Sequence, residues 1–240
     1  MLRKIARALG YSLQKLRRAD AEEDIHYMAF KLTKPTLILD CGANQGAFYK
    51  ACRNVGYKGK IWCFEPNVKC VENLNVMAGS DGNMRVFQLG TGDADSTTTL
   101  QVAGEDGNMG SLLPQQPWMT DRFKSAWVRD QYEVNVRRLD QVLDEERVPE
   151  DERIFMKIDT QGFDRATFLG MGDRIAQVIG IKAEFSVQTI YQGAPLHWEM
   201  LDVLREYGFE PFWFSTVSRG FDGRIIEYDA YFVKVDEKVN

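Results

Sequence analysis

The stretch LILDCGANQG, residues 37–46, decides how this chain folds. Its apolar run ends in Asp40 and passes into a turn that contains Gly42 and Gly46. This pattern predicts a buried strand followed directly by a helix. Glycines let a backbone approach a ligand closely, and the first turn of a helix offers unpaired N–H groups. The stretch therefore predicts a nucleotide-cofactor site at the carboxyl end of a strand in an open α/β sheet.

Two details of this turn favour S-adenosylmethionine over NAD as the cofactor. The glycine spacing is G-x-x-x-G, whereas a pyrophosphate turn needs G-x-G-x-x-G. Asp40 stands at the turn, where its carboxylate would repel a pyrophosphate and attract an amino-acid ammonium group. A P-loop is excluded because no G-K-[ST] sequence ends the turn.

Downstream of this stretch, apolar strand patterns alternate with helical ones. Strands are predicted at 36–40, 60–65, 84–89, 153–159, 177–185, 209–215 and 225–234, and helices at 47–55, 68–78, 165–170 and 196–207. Such alternation is typical of a mostly parallel sheet covered by helices on both faces. Only a short glycine-containing turn separates the last two strands, so these two are expected to pair antiparallel. We predict a Rossmann-like α/β domain over residues 35–240.

Acidic residues end several of these strands and should meet at one edge of the sheet. Glu65 ends the second strand, where a carboxylate can accept hydrogen bonds from both ribose hydroxyls. Lys157 and Asp159 end the strand before the helix at 165–170, and Glu184 lies at the end of the next. Two acids on adjacent strand ends are well placed to handle a substrate hydroxyl.

The segment between about residues 91 and 130 interrupts this alternation. A short strand is predicted at 97–102, followed by a glycine- and proline-rich stretch. Long loops inside compact domains usually form lids or binding segments. The spacing of Trp118, Phe123 and Trp127 suits an amphipathic helix that closes over a site. We expect this segment to take part in choosing the acceptor.

The N-terminal part, residues 1–34, is predicted to be a helical extension. Six cations and no acids occur in residues 1–19, although the whole chain carries −5 and the remainder therefore −11. Apolar residues at helical spacing predict a basic amphipathic helix, which would pack on protein or lie on an anionic membrane through residues 1–18. Asp20 and Glu23 form a capping-box pattern that opens a second helix to about Leu32.

Composition and cysteine usage limit the class of protein further. The 240 residues, 44% hydrophobic and 27% charged, suit one soluble globular domain. The acidic body argues against nucleic acid as the main partner. No secretory signal pattern is visible, so we expect a cytoplasmic protein with its four cysteines reduced and packed, and with any membrane contact peripheral at the inner face.

Five motifs in fixed order resemble the FkbM family of S-adenosylmethionine-dependent methyltransferases. They are LDCGANQGAF (39–48), FEPN (64–67), V-x-x-x-x-LDQVL (134–143), KIDTQGFD (157–164) and A-E-F-x-V-x-x-x-Y-x-G (183–193). The resemblance spans roughly residues 36–215. The family more often has an acid where Gln161 stands. The resemblance implies a seven-stranded class I methyltransferase fold with an antiparallel last strand, and methylation of hydroxyls on sugars, glycolipids or other small molecules, with S-adenosylhomocysteine as product.

The same resemblance implies roles for individual residues in cofactor binding. It implies that Glu65 holds the ribose, that Pro66 and Asn67 flank the adenosine, and that Gly92 and Asp93 contact the adenine edge. The methionine end of the cofactor would be wrapped by five residues of the first motif: Asp40, Gly42, Ala43, Asn44 and Gly46.

For catalysis, the residues themselves suggest a proton acceptor near the sheet edge. We expect Asp159 or Glu184 to take the proton of the acceptor hydroxyl, with Lys157 stabilising negative charge and His197 as the second choice of base. Asp159, Glu184 and nearby Asp164 offer oxygen ligands that suit Mg²⁺, but such groupings are routine in metal-free sites, and no metal is predicted.

Three alternative functions were weighed against an O-methyltransferase. A nucleic-acid methyltransferase is disfavoured because the chain has no N-P-P-Y stretch and no Pro-Cys nucleophile. An NAD-dependent enzyme is disfavoured by the glycine spacing. A methyltransferase-like scaffold without catalytic activity is the remaining alternative. The identity of the acceptor and the oligomeric state are left open.

Overall fold

The structure is a computed structural model that describes residues 22–104, 107 and 109–235. The strands are β1 (Leu37–Cys41), β2 (Lys60–Phe64), β3 (Met84–Phe87), β4 (Gly90–Thr91), β5 (Ser96–Val102), β6 (Asp130–Arg137), β7 (Ile154–Ile158), β8 (Val178–Ser186), β9 (Phe209–Arg219) and β10 (Ile225–Lys234). The helices are α1 (Glu22–Thr33), α2 (Ala47–Asn54), α3 (Val68–Ala78), α4 (Pro117–Arg122), α5 (Leu139–Glu145), α6 (Asp164–Leu169) and α7 (His197–Glu206), with 3-10 turns at Lys124–Ala126 and Gly172–Gln177.

Seven strands form the main sheet in the order β3-β2-β1-β7-β8-β10-β9. Strands β3, β2, β1, β7 and β8 pair in parallel, whereas β10 is antiparallel to both β8 and β9. These are the seven strands predicted from the apolar runs, with ends shifted by a few residues. The prediction of a class I methyltransferase fold with an antiparallel last strand is confirmed.

Helices cover both faces of the sheet, which explains why the central strands are buried and mostly apolar. All five residues of β1 are buried, as are all five of β7. Because side chains alternate between the faces of a strand, Leu37 and Leu39 join the core under α5, α6 and α7. Ile38 joins the second core, under α1, α2 and α3. The two cores hold the strand ends in fixed positions.

Helix α1 matches the second helix that the capping-box pattern predicts. Its residues Ile25 and Ala29 are buried in the core of the sheet, and His26 Nε2 lies 3.0 Å from the hydroxyl of Tyr231 on β10. The predicted basic helix over residues 1–18 lies outside the described residues. No helix among the described residues is long and apolar enough to cross a membrane.

The segment after β3 builds a second, three-stranded sheet in the order β4-β6-β5. The edge strand β5 matches the short strand that the sequence predicts at 97–102, whereas the middle strand β6 and helix α5 were not predicted. The predicted amphipathic helix through Trp118, Phe123 and Trp127 is wrong as a continuous helix. Helix α4 ends at Arg122, Phe123 is extended with a φ of −127°, and Trp127 is 54% exposed.

A side chain explains where α4 stops. The indole N–H of Trp127 donates a 2.8 Å hydrogen bond to the carbonyl of Thr120, which satisfies a carbonyl that another helical turn would otherwise use. Trp118 and Phe123 still pack on the buried residues beneath this segment, so the two aromatic side chains have the predicted inward position.

All four cysteines are buried thiols, as their prediction as packing residues requires.

Candidate active site

A cavity lies at the carboxyl ends of β1, β2 and β7 and is closed on one side by the three-stranded sheet. It opens to solvent. Its lining residues come from five parts of the chain: Gly42, Asn44, Phe64, Glu65, Pro66, Asn67, Leu89, Gly90, Thr91, Leu100, Gly107, Gly110, Leu112, Asp159, Thr160 and Gln161.

The turn after β1 brings its backbone to the wall of this cavity. Gly42 has a φ of +76°, and a Cβ built on it would overlap the carbonyl oxygen of Asp159 and lie 2.9 Å from its carbonyl carbon. Only glycine fits at such an approach. Gly42 and Asn44 line the cavity, as predicted for cofactor contacts. Ala43 instead packs in the core, and Gly46 lies against Leu74 and Met77 of α3.

The carboxylate of Glu65 is held rigidly at the end of β2. One oxygen accepts a 2.7 Å hydrogen bond from the backbone N–H of Asn44, and the other accepts a 2.8 Å hydrogen bond from the backbone N–H of Asn67. Burial raises the pKa of Glu65, although these two N–H groups act in the opposite direction. Each oxygen keeps a further lone pair for a ligand hydroxyl. Pro66 and Asn67 line the cavity beside it.

Asp40 does not line the cavity. Its side chain is fully buried, and neither carboxylate oxygen accepts a hydrogen bond from the described residues. Register in the sheet places Asp40 opposite Lys157, and the ammonium lies 3.4 Å from Asp40 Oδ1. Burial raises the pKa of Asp40, which Lys157 partly offsets. A buried ion pair therefore occupies the position where the sequence predicts a free carboxylate.

Lys157 joins three groups at the floor of the site. Its ammonium donates a 2.6 Å hydrogen bond to the carbonyl of Gly42 and lies 3.4 Å from Asp159 Oδ2 as well as from Asp40. Burial works against its charge, but the two carboxylates outweigh burial and raise the pKa of Lys157. The lysine therefore stays protonated and keeps positive charge under the turn that follows β1.

Two predicted catalytic carboxylates, Asp159 and Glu184, meet beside the cavity with opposite ionisation tendencies. Burial raises the pKa of Asp159, but Lys157 and Lys182 outweigh it, so the net shift is downward. Burial and the neighbouring charge of Asp159 raise the pKa of Glu184 well above its usual value. The Asp159 side chain is 34% exposed and lines the cavity. Groups whose environments separate their pKa values in this way are suited to acid–base roles.

Other predicted residues lie outside the cavity. Gly92 packs against Val136 and Phe163, Asp93 lines a separate open depression, and Leu89 to Thr91 occupy the cavity wall instead. His197 begins α7, and its Nδ1 lies 3.2 Å from the Tyr228 hydroxyl.

The Asp164 carboxylate caps the turn after β7 by accepting hydrogen bonds from the backbone N–H groups of Thr160 and Gly162. Among the described residues, no group of three or more His, Cys, Asp or Glu is arranged to hold a metal ion.

A family model for the methyltransferase FkbM domain matches residues 40–211. The chain belongs to the FkbM methyltransferase family. Its members are S-adenosylmethionine-dependent methyltransferases, and so is this enzyme. The matched region begins at Asp40 and includes every strand of the main sheet from β2 to β8.

Three known proteins show the extent of this similarity. The 2-O-methyltransferase NoeI of Sinorhizobium fredii (strain NBRC 101917 / NGR234) is 24% identical over 204 residues, 81% of this chain and 80% of that protein. Magnesium protoporphyrin IX methyltransferase (ChlM) from Synechocystis PCC 6803, solved with bound S-adenosylmethionine, has 8% identity and a TM-score of 0.46 over 98% of this chain and 95% of that one. Precorrin-6y C5,15-methyltransferase from Geobacter metallireducens GS-15 has 10% identity and a TM-score of 0.46, with 93% of each chain covered.

The groups that line the cavity of this FkbM methyltransferase suit S-adenosylmethionine. A rigid carboxylate, Glu65, faces the space with free lone pairs for ribose hydroxyls. Phe64, Leu89 and Leu112 offer apolar walls for a base. Gly42 and Asn44 bring the backbone of the turn after β1 to the cavity wall.

Sequence reasoning missed residues that the tertiary structure brings to the same site. Leu100 reaches the cavity from β5, and Gly110 and Leu112 reach it from the segment between β5 and α4. Tyr191 lies beside Asp159 and Glu184, the two carboxylates predicted to be catalytic, and its hydroxyl donates a hydrogen bond to Gln161. Tyr191 belongs to the last of the five family motifs, which was the one signal available for it.

Proposed function

We propose that this enzyme transfers the methyl group of S-adenosylmethionine to a hydroxyl of a sugar, glycolipid or other small-molecule acceptor. The observation that carries the proposal is the Asp159 carboxylate, which is held ionised beside Lys157 and opens into the cavity that fits the cofactor. A hydroxyl is a poor nucleophile unless a base takes its proton, and an ionised carboxylate can do so. The similarity to a protein named as a 2-O-methyltransferase supports an oxygen acceptor.

For the cofactor, we assign the methionine end to the turn after β1, through Gly42 and Asn44, and the ribose to Glu65. Pro66 and Asn67 flank the adenosine. Because Leu89 to Thr91 line the cavity and Gly92 and Asp93 do not, we assign the adenine side to the former. When bound, the cofactor supplies an electrophilic methyl group on a sulfonium, and positioning contributes much of the acceleration of such an in-line displacement.

The protein residues then act on the acceptor. Asp159 accepts the proton of the attacking hydroxyl, and Lys157 keeps Asp159 ionised before attack. Burial and the charge of Asp159 raise the pKa of Glu184 and favour its protonated form, which lowers the negative charge that the acceptor oxygen meets.

The test is methyl transfer from labelled S-adenosylmethionine to a panel of oligosaccharides, glycolipids and small polyols, with wild type, Asp159→Asn and Asp151→Asn. Asp151 is exposed and serves as the matched control. We expect D159N to lower turnover by about 10²- to 10³-fold. Binding of S-adenosylhomocysteine, measured by calorimetry, should change by less than about threefold, because D159N removes a charge and keeps the shape of the side chain.

Two outcomes would contradict the proposal. Retention of more than a tenth of wild-type turnover by D159N would remove Asp159 as the base. Alternatively, the wild type could bind S-adenosylhomocysteine and methylate none of the hydroxyl acceptors, which would favour the scaffold alternative or a different acceptor class. The cytoplasmic location and the contact of residues 1–18 with membrane or protein stay predictions from the sequence.

A further inference from the structure

Gln161 occupies a strained position between the cofactor cavity and the two carboxylates. It lies in the turn between β7 and α6 with a φ of +53°, in the left-handed region that residues other than glycine seldom adopt. Its backbone carbonyl accepts a 2.6 Å hydrogen bond from Ser111 Oγ, and Gln161 itself lines the cavity. Residues kept in such a conformation cluster at functional sites, because the surrounding contacts must over-determine them.

The Gln161 side chain bridges three functional groups. Its Nε2 donates a 2.7 Å hydrogen bond to Asp159 Oδ1 and lies 3.4 Å from Glu184 Oε2. Its Oε1 accepts a 2.6 Å hydrogen bond from the hydroxyl of Tyr191, a residue only 2% exposed. A tyrosine hydroxyl that donates to the amide oxygen turns the amide nitrogen, with its two protons, toward the carboxylates.

We propose that Gln161, oriented by Tyr191, is a positioning residue that holds Asp159 in the conformation in which it accepts the proton of the acceptor hydroxyl. This inference rests on the proposed function and adds a residue to it. The amide occupies Asp159 Oδ1 and leaves Oδ2, on the side of Lys157, to receive the proton. Because the Gln161 amide is neutral, it contacts both Asp159 and Glu184 without adding a charge to the site.

The proposal predicts different consequences for an apolar and for an acidic replacement. Methionine at position 161 would remove both N–H groups, so Asp159 would lose a bond to its charged form and its pKa would rise. Glutamate would add a third carboxylate and raise that pKa further. The charged and titratable groups that face Asp159 from the packed elements are Asp40 on β1, Lys157 on β7, Asp164 on α6, Lys182 and Glu184 on β8, Tyr191 after β8, and Glu227 and Asp229 on β10.

The experiment compares Gln161→Met, Gln161→Glu and Tyr191→Phe with Gln131→Met, an exposed glutamine on β6, as the matched control. Carboxyl carbon-13 shifts of Asp159, followed against pH in the complex with S-adenosylhomocysteine, report its pKa without any acceptor. We expect the titration midpoint to rise by about one pH unit or more in Q161M and further in Q161E, and to stay in place in the control. Y191F should move it in the same direction by less.

With an acceptor from the panel, kcat should fall by about 10- to 100-fold in Q161M, while the Kd for S-adenosylhomocysteine stays within about threefold. The acid limb of the kcat/KM profile should move to higher pH in Q161E, so that this variant recovers activity as pH rises. A purely structural role would lower Tm in each variant and leave the acid limb unchanged.

The experiments distinguish failure of the Gln161 role from failure of the proposed function. A midpoint that moves by less than about 0.3 pH unit in both Gln161 variants would overturn the positioning role, even if D159N abolishes turnover. An Asp159 midpoint that rises as expected, in a protein that methylates no hydroxyl acceptor, would support the Gln161 contact and contradict the proposed function alone.

Discussion

Replacing Gly42 by alanine tests the closest backbone approach in the site. Gly42 has a φ of +76°, and its missing Cβ would overlap the carbonyl of Asp159. Gly56 has a φ of +89° and nothing within 4 Å of the position of a Cβ. Gly42→Ala therefore combines an unfavourable backbone conformation with a steric clash, whereas Gly56→Ala carries the conformational cost alone.

The magnitude follows from these two contributions. An L-residue in the left-handed region costs about 1–2 kcal/mol, which applies to both variants. Forcing an extra carbon into a packed position costs about 1–3 kcal/mol more, which applies only to Gly42. For a chain of this size, each kcal/mol corresponds to about 2–4 °C in Tm. We expect G42A to unfold about 2–12 °C below G56A.

The assays are thermal unfolding and calorimetric titration with S-adenosylhomocysteine. G42A should also bind the ligand at least about tenfold more weakly, because the carbonyl of Gly42 is held by Lys157 and the clash displaces that turn. G56A should bind like the wild type. If both variants lost the same free energy of unfolding within about 0.5 kcal/mol and bound the ligand equally, the close approach of Gly42 to Asp159 would be refuted.

Two further variants probe the buried charges. Lys157→Met leaves Asp40 buried without its cation and should lower the free energy of unfolding, measured in urea, by about 3–5 kcal/mol. The control is Lys60→Met, whose half-exposed side chain pairs with Glu152 and should cost about 1 kcal/mol or less. Equal losses would contradict the buried pair. Burial raises the pKa of Glu227 to about 7 from 4.5, so the folded state holds an extra proton between these values and loses stability as pH rises through this window. Glu227→Gln should therefore gain up to about 3 kcal/mol on the wild type between pH 4.5 and 7.5, and a difference independent of pH would refute this.

Local patterns were sufficient for much of the fold. The strands of the main sheet coincide with apolar runs because each central strand is buried on both faces, and the one polar residue of β1 (Asp40) and of β7 (Lys157) is buried with its neighbours. The antiparallel pairing of β9 and β10 followed from a turn too short for a crossover. Strand β6 was missed because its sequence, DQYEVNVR, buries only two residues, and a half-exposed strand beside a long loop has a weak pattern.

The carboxyl ends of the strands were also readable, but the contacts made there were not. The sequence analysis placed Asp40 in the crevice because it ends an apolar run. Pairing of β1 with β7 puts it opposite Lys157 instead, in a fully buried position. Register between strands far apart in the chain depends on the packing of both sheet faces, which no local pattern contains.

By itself, the sequence determined the α/β class, the strands of the main sheet, the turn at Gly42 and the family, because each of these depends on neighbouring residues. Only the tertiary structure decided which carboxylate opens into the cavity and which is buried beneath it. It alone brought Gln161 to Tyr191, 30 residues away, and to Ser111, 50 residues away. Such contacts, and the pKa values that depend on them, arise from burial and from charges that distant segments bring together.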